Sequence, residues 1–481
     1  MSSLKTNITL NFINTITGII FPVITFPYAA RVLLPDGIGA VNFFQSIIAY
    51  IVLLTSLGIP MYAVREVAKY RDDVEKRNRV TIEITLLSLI LCMFGYVAVW
   101  LLGEFIPQIN SQLDLFYVLS LVIFFTALGV NWFYQAIEDF EFITVRALIF
   151  RTLAVISLFL FVKTKDDLLV YAFVVVGSTV GNNFINFIHL RKYITFGRID
   201  WRKLTVWVHF KPASRIFVYN VITSIYLILN TVMLGFMEGD SAVGFYTAGN
   251  RLSHIVLSVV ASLGVVMLPR CSNLIEMGRT KDFSVITHKS WRFVIALALP
   301  STMGLILLAT PIIYVFCGKE FFEASSVLCW TAPVIVFIGL SNVLGIQILY
   351  PQGKENLVIW STVGGAFFNF VLNCLLIPVY SYTGAAVSTF IAELVVLTIQ
   401  IILGRKYIPF PIFEKIYLNY LLASLLMSVG VLLLVLSITN IWIVLSASVI
   451  VGCIIYAGTL WIMKDSLLQE TLNYVCKLLK R

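Results

Sequence analysis

Fourteen apolar stretches, each long enough to cross hydrocarbon as a helix, fill nearly all of this chain. A bilayer core needs roughly 20 mostly apolar residues per helix, so fourteen spans take about 280 residues of the 481 present. The spans are predicted at 7–30, 38–62, 80–103, 114–136, 145–163, 168–190, 214–236, 245–269, 290–316, 325–350, 356–379, 383–404, 417–438 and 441–463. In lipid every backbone N–H and C=O must be satisfied, which makes such segments helices rather than open strands. With 59% hydrophobic and 12% charged residues and a mean hydropathy of +0.94, the chain reads as an all-α polytopic membrane protein. A soluble domain does not fit between spans this close, and the composition is not that of an outer-membrane barrel.

Charge gives the expected orientation. If the first span runs outward, 29 of the 34 Lys and Arg fall at cytoplasmic ends or loops. Arg31, Lys163, Lys165 and Lys319 stay outside, and Arg251 falls within a helix. The positive-inside rule then places both termini in the cytosol of a plasma membrane. The net charge of +9 collects in Arg65–Arg79, Arg191–Arg215 and Arg270–Arg292, where anionic inner-leaflet lipids attract it, so a nucleic-acid partner is not called for. The first span contains Asn7, Asn11 and Asn14 and extends to Ala30, too long and too polar for a cleaved leader.

Chemistry-bearing motifs are few. The seven cysteines show neither metal-ligand spacing nor an external disulfide framework. No G-x-x-x-x-G-K-[ST] loop and no H-E-x-x-H motif occurs, and His189, His209, His254 and His288 are scattered. An enzyme reading has little to stand on, and no resident cofactor is expected.

An internal repeat is visible. Gly39 and Gly244, like Arg65 and Arg270, lie 205 residues apart, and Ser56-Leu57-Gly58 returns as Ser262-Leu263-Gly264. Six helices separate the copies, and an even number preserves orientation, so the halves are expected to be parallel repeats with a substrate cavity between them. The expected organisation is 1–205 for helices 1–6, 206–410 for helices 7–12, 411–464 for helices 13 and 14, and 465–481 for a tail. In that tail Leu467, Leu468, Leu472, Val475, Leu478 and Leu479 share one face beside Lys477, Lys480 and Arg481, the pattern of a helix lying on a membrane surface.

Polar residues inside spans need protein or water around them. Asn7, Asn11, Asn14, Gly18, Pro22 and Thr25 follow one face of helix 1, and Asn42, Gln45, Ala49 and Ser56 one face of helix 2. Helix 7 carries Asn220, Ser224 and Thr231, and helix 8 carries Thr247, Arg251, His254, Ser258 and Ser262. Interhelical packing is the plain alternative for any single Asn or Ser, at about 0.6 kcal/mol per hydrogen bond. A charge near the bilayer centre costs about 2.5–3.5 kcal/mol and calls for a compensating use. Arg251, with His254 on its face, leads here, joined by Arg151 and Arg31, while Arg31 and Arg146 also sit where arginines snorkel to headgroups. Glu393, ten residues into helix 12, is about 15 Å deep and is read either as a proton or cation acceptor or as a neutral structural acid.

Several ordered strings resemble a known family. Pro27-Tyr28-Ala29-Ala30-Arg31-Val32-Leu33, Gly37-Ile38-Gly39 and Arg65-Glu66-Val67-Ala68 resemble the start of a Wzx-type polysaccharide flippase. Asn131 through Phe140, Val243 through Ala248, Asn369 through Pro378 and Gly384 through Glu393 are similar to later segments of that family, in the same order. The resemblance spans nearly the whole chain. It implies the multidrug, oligosaccharidyl-lipid and polysaccharide exporter fold: two pseudo-symmetric six-helix lobes in a V plus two C-terminal helices. It also implies a substrate, an undecaprenyl-diphosphate-linked oligosaccharide turned to the outer leaflet by alternating access for O-antigen, capsule or exopolysaccharide assembly, with a polysaccharide polymerase and a chain-length regulator as partners. Guanidinium forks and amides can replace the hydration of a diphosphate and sugars. Arg31, Arg151 and Arg251 are therefore the candidate diphosphate contacts, with His254, Asn11, Asn14, Asn42, Gln45 and Asn220 in the same cavity.

A related flippase for a lipid-linked peptidoglycan precursor has a sodium site on the equivalents of helices 7, 11 and 12. Asn369, Asn373 and Thr389 resemble its spacing, although Asn373 replaces a carboxylate, which lowers cation affinity and leaves Glu393 as the rival sodium or proton acceptor. The competing readings are a cation-coupled multidrug exporter of the same superfamily and an envelope glycan polymerase or ligase; the latter class usually carries large outer loops, which this chain lacks.

Overall fold

The computed structural model describes residues 4–194 and 204–470. Among the described residues, eleven helices are long and apolar enough to cross a membrane. Two of them divide internally, Leu4–Ser56 at Leu34 (φ 62°, ψ 177°) and Glu355–Gly404 at Ser381 (φ 49°, ψ −132°). Pro35 follows Leu34, and a proline bars the preceding residue from the right-handed helical region. The helix Phe210–Glu238 occupies the predicted seventh span, so the observed helices are compatible with fourteen spans.

Four predicted spans are interrupted: 38–62 at Leu57 and Gly58, 290–316 at Leu308, 325–350 between Thr331 and Val334, and 114–136. In place of a helix over 114–136 there are two, Leu113–Leu128 and Asn131–Ala136, separated by Val130 at φ 32°. The break turns Phe133 and Tyr134 into the interior, where the Tyr134 hydroxyl donates to the Asn186 carbonyl at 2.7 Å.

The helices form two compact units, Met1–Gly244 and Phe245–Arg481. Each has its own apolar core, around Ile84, Phe133, Tyr134 and Ala213 in the first and around Val294, Ile335, Leu344 and Tyr420 in the second. Lipid tails are as apolar as these side chains, so close packing and polar contacts, rather than escape from water, hold the membrane-buried parts together.

Within the first unit, the repeat becomes a contact. A Cβ on Gly39 would lie 1.7 Å from the Asp240 carbonyl oxygen, and one on Gly244 would lie 2.1 Å from that of Pro35. The Ser241 hydroxyl donates to the Asp36 carboxylate. Pro35 and Asp240, Asp36 and Ser241, and Gly39 and Gly244 are each 205 residues apart. Residues 205 positions apart thus meet reciprocally. Backbone approach this close leaves no room for any side chain at either glycine.

In the second unit, the two halves of Glu355–Gly404 pack closely. A Cβ on Gly365 would fall 2.2 Å from Val396 and 3.2 Å from the Ala392 carbonyl, which sets Asn369 level with the turn carrying Thr389 and Glu393. The described start of the tail is docked on protein. Asp465, 2% exposed, accepts from the N–H groups of Leu467 and Leu468, both at 3.0 Å. Its other oxygen takes the Tyr420 hydroxyl at 3.0 Å and Arg292 at 3.3 Å. Leu467 and Leu468 pack against the core of the second unit. Leu472, Val475, Lys477, Leu478, Leu479, Lys480 and Arg481 of the expected surface helix lie outside the described residues.

Candidate functional site

The predicted stripe on helix 8 has a clear disposition. The helix Asp240–Glu276 buries Leu252, Ser253, Leu257 and Val260, and the Ser253 hydroxyl meets Thr331 Oγ1 at 2.7 Å. Arg251, His254, Ser258 and Ser262 occupy the other face: His254 and Ser262 are exposed, Arg251 and Ser258 half-buried. The Ser258 and Ser262 hydroxyls donate back to the carbonyls of Ile255 and Val259, both at 2.7 Å. The guanidinium and imidazole therefore stand on a face turned away from the core of their own unit, three residues apart and on the same side.

In the first unit the structure joins Arg151 to helix 1. Arg151 Nη1 donates to the Asn14 carbonyl at 2.9 Å and to Thr17 Oγ1 at 2.7 Å. Gly18 lies beneath the guanidinium, a Cβ there falling 3.4 Å from Nη2. The buried Asn14 Oδ1 has no hydrogen-bond donor among the described residues. Arg31 is exposed, but it follows Thr17 by fourteen residues, about 21 Å along a helix. Arg31 and Arg151 are thus separate stations. Asn42 folds back on its own helix, donating to the Ile38 carbonyl at 2.7 Å, and Gln45 is half-buried. The side chains of Asn11 and Asn220 lie outside the described residues.

Arg146 has a structural assignment that its position near a span end does not reveal. It is 4% exposed and does not reach toward headgroups. Its Nε donates to Asn182 Oδ1 and its Nη2 to Asn131 Oδ1 at 3.1 Å, with the guanidinium carbon 5.0 Å from the centre of the Phe142 ring. The charge thereby ties the broken fourth span to its neighbours.

A second buried network went unread in the sequence. Glu83, 3% exposed, accepts from Arg79 Nε at 3.0 Å, from the Thr205 N–H at 2.7 Å and from His209 Nε2 at 3.0 Å. His209 Nδ1 meets the Tyr62 hydroxyl at 2.7 Å. Glu83 and His209 are 126 residues apart, and no local spacing signals such a pair.

The ion-coupling candidates all fall in the second unit. Asn369 and Asn373 are wholly buried, and Asn373 Nδ2 donates to Asn369 Oδ1 at 3.2 Å. Asn369 Nδ2 has no acceptor among the described residues. Thr389 Oγ1 donates to the Ala385 carbonyl at 2.9 Å and lies 3.2 Å from the Tyr246 hydroxyl. Glu393 is buried one turn further along the same face. Amide and hydroxyl oxygens with one carboxyl make a donor set suited to a hard cation, provided the Asn369 amide turns its oxygen inward. Among the described residues, no three His, Cys, Asp or Glu cluster in a way that holds a transition metal.

Comparison with known proteins decides the family. Residues 4–275 match the sequence profile described as polysaccharide biosynthesis protein, more than half of the chain. The chain belongs to that family. Residues 216–375 also match the MatE profile. A protein of Escherichia coli (strain K12) named "Putative O-antigen transporter" is 22% identical over 410 residues, covering 84% of this chain and 97% of that one. Among solved structures, the lipid II flippase MurJ in an inward closed conformation superposes with a TM-score of 0.72 at 18% identity, over 96% of this chain and 100% of that one. An inward-facing MATE multidrug transporter of the MOP superfamily gives 0.64 at 13% identity, over 81% and 94%. These likenesses fix the fold: an all-helical, multi-pass membrane protein of the MurJ and MATE type.

Proposed function

We propose that this chain is a flippase that turns an undecaprenyl-diphosphate-linked oligosaccharide from the cytoplasmic to the outer leaflet of a bacterial plasma membrane, for surface polysaccharide assembly. Both termini lie in the cytosol, the polysaccharide polymerase and chain-length regulator act downstream, and transport proceeds by alternating access. The observation that carries this reading is the face of Asp240–Glu276 on which Arg251 and His254 stand clear of the buried residues Leu252, Ser253, Leu257 and Val260. Arg251 lies half-buried within a membrane span, where a charge is costly and calls for a compensating use. The family match and the relative named for O-antigen transport support binding of the lipid-linked glycan as that use.

Arg251 and His254 of the second unit bind the diphosphate; within the first unit Arg151, with Asn14 Oδ1 beside it, is a further candidate contact for the lipid-linked glycan. Arg31 serves as a later station along helix 1. The polyprenyl tail stays in lipid or in the apolar cavity of about 490 Å3 lined by Pro300, Gly304, Met427, Gly452 and Tyr456, formed by helices Thr280–Leu307, Ile416–Ser437 and Ile441–Ile462. Sodium or a proton drives the cycle through Asn369, Asn373, Thr389 and Glu393.

The MatE match favours a drug exporter as the second reading. Export of organic cations calls for an accessible carboxylate within the spans, whereas Glu83 and Glu393 are both turned into their own units. Reconstituted vesicles carrying a fluorescent lipid-linked glycan test the proposal. Protein-dependent transfer of the headgroup across the bilayer is expected, and accessibility equal to that of empty vesicles under sodium and proton gradients rejects it.

A further inference from the structure

The second unit contains a half-open cavity of about 670 Å3 that the transport reading leaves without a role. It lies where Asp240–Glu276 and Thr280–Leu307 meet the start of the tail, at the Lys- and Arg-rich end that the charge rule assigns to the cytosol. Its lining has two characters. Arg270, Asn273, Lys289 and Ser290 are polar, Met267 and Phe293 apolar, and Asp282 and Glu470 add two carboxylates.

Three cations border the cavity, and two already have partners. Arg279 holds Asp282 and Lys289 holds Glu470, each at 2.8 Å and each solvent-exposed; exposed pairs of this kind are weak and exchange partners readily. Arg270 differs. It is exposed and makes no hydrogen bond or ion pair among the described residues. Asn273, one turn along the same helix, lines the cavity beside it.

We infer that this cavity binds the headgroup of an anionic inner-leaflet phospholipid. A guanidinium fork takes phosphate oxygens in pairs. The negative surface potential of that leaflet supplies the ligand at the depth where Arg270 stands, and the volume is within the range of small-molecule sites. Arg270 holds the phosphate, Asn273 and Lys289 take the neighbouring oxygens, and the acyl chains leave along Met267 and Phe293. The tail contributes Leu467 and Glu470 to the wall, and Asp465 fastens that wall to Arg292 and Tyr420. A bound lipid therefore clamps the tail onto the second unit. This site is independent of the transported glycan.

Native mass spectrometry of the full chain, titrated with phosphatidylglycerol, phosphatidylcholine or soluble glycerol phosphate, tests the inference. Phosphatidylglycerol should be retained in preference to phosphatidylcholine. Arg270→Ala should weaken its retention roughly tenfold, the loss of one charge-assisted hydrogen-bond set. Arg65→Ala, the repeat equivalent, which does not line this cavity, should leave retention unchanged. If Arg270→Ala does not fold, Arg270→Gln, which keeps the stem and loses the charge, carries the same expectation. Equal losses in the Arg270 and Arg65 variants mean diffuse surface attraction and overturn the site. Glycerol phosphate binding as tightly as the lipid assigns the cavity to a soluble ester and overturns it too.

Discussion

On Asp240–Glu276, Leu252, Leu257 and Val260 pack into the second unit while Arg251, His254, Ser258 and Ser262 stay accessible. On Glu355–Gly404 the arrangement is reversed: Asn369, Asn373 and Ser388 are wholly buried, while Phe367 and Leu375 are 64% and 63% exposed. Both segments carry polar residues at helical spacing, so their periodicity alone is the same. The difference lies in the apolar remainder. Where the large apolar side chains face outward to lipid, the polar face turns inward and pairs in part, as Asn373 does with Asn369 at 3.2 Å, leaving Asn369 Nδ2 without an acceptor among the described residues. Where the apolar side chains are consumed by packing, the polar face lies on the opposite side of the helix from the buried residues. The first arrangement suits a structural or ion-holding role, the second a passage for a hydrated headgroup.

Mutations that remove one polar group from each face sharpen this contrast. The largest effect is expected for Arg251→Ala, which should lower the rate of glycan transfer about 100-fold, the worth of a charged hydrogen-bond pair at a desolvated site, without changing expression or thermal midpoint. Near wild-type transfer would falsify its assignment to the headgroup.

Arg146→Ala should behave in the opposite way. Its buried guanidinium holds the half-buried Asn182 and Asn131, so its loss leaves two partly buried amides without that partner and should cost about 1–3 kcal/mol of stability. A thermal-shift assay in detergent reads this directly, and an unshifted midpoint would mean the network is not structural.

Asn373→Asp asks whether the buried pair can hold a cation. A carboxylate added beside Asn369 and Thr389 should strengthen sodium binding by about tenfold or more, seen as a sodium-dependent rise in thermal midpoint absent from the parent. If both respond alike to sodium and potassium, these amides are packing groups.

The smallest effect contrasts two serines on one helix. Ser253 is buried against Thr331, whereas Ser258 bonds only to its own backbone at Ile255. Ser253→Ala should destabilise by about 0.6 kcal/mol and Ser258→Ala should not. Equal shifts would blur the division between the two faces.

Much of the fold was legible because a membrane allows few solutions. Long apolar runs gave the spans, and the 205-residue offset of Gly39 and Gly244 marked the repeat. That these two glycines would lie in one close backbone contact was not legible, since an offset in sequence carries no position in space. Nor was the break at Val130, whose φ is 32°: Gly129 before it ends the first helix, but a lone glycine within an apolar run does not by itself signal a break. In the candidate site, the Arg251 and His254 stripe was readable from its spacing, but the side it faces depends on which neighbours bury Leu252 and Val260. The Glu83 and His209 pair was invisible for the same reason, because Tyr62, Glu83 and the stretch holding Thr205 and His209 are three segments distant in sequence.

Membrane-impermeant thiol labelling tests the central claim most directly. In a chain whose native cysteines have been replaced, His254→Cys and Ser258→Cys should react with a water-soluble maleimide and slow when lipid-linked glycan is added, while Ser253→Cys should stay unreactive. Reaction at Ser253→Cys alone, or labelling at His254→Cys that the glycan leaves unchanged, would contradict a headgroup path along the Arg251 face.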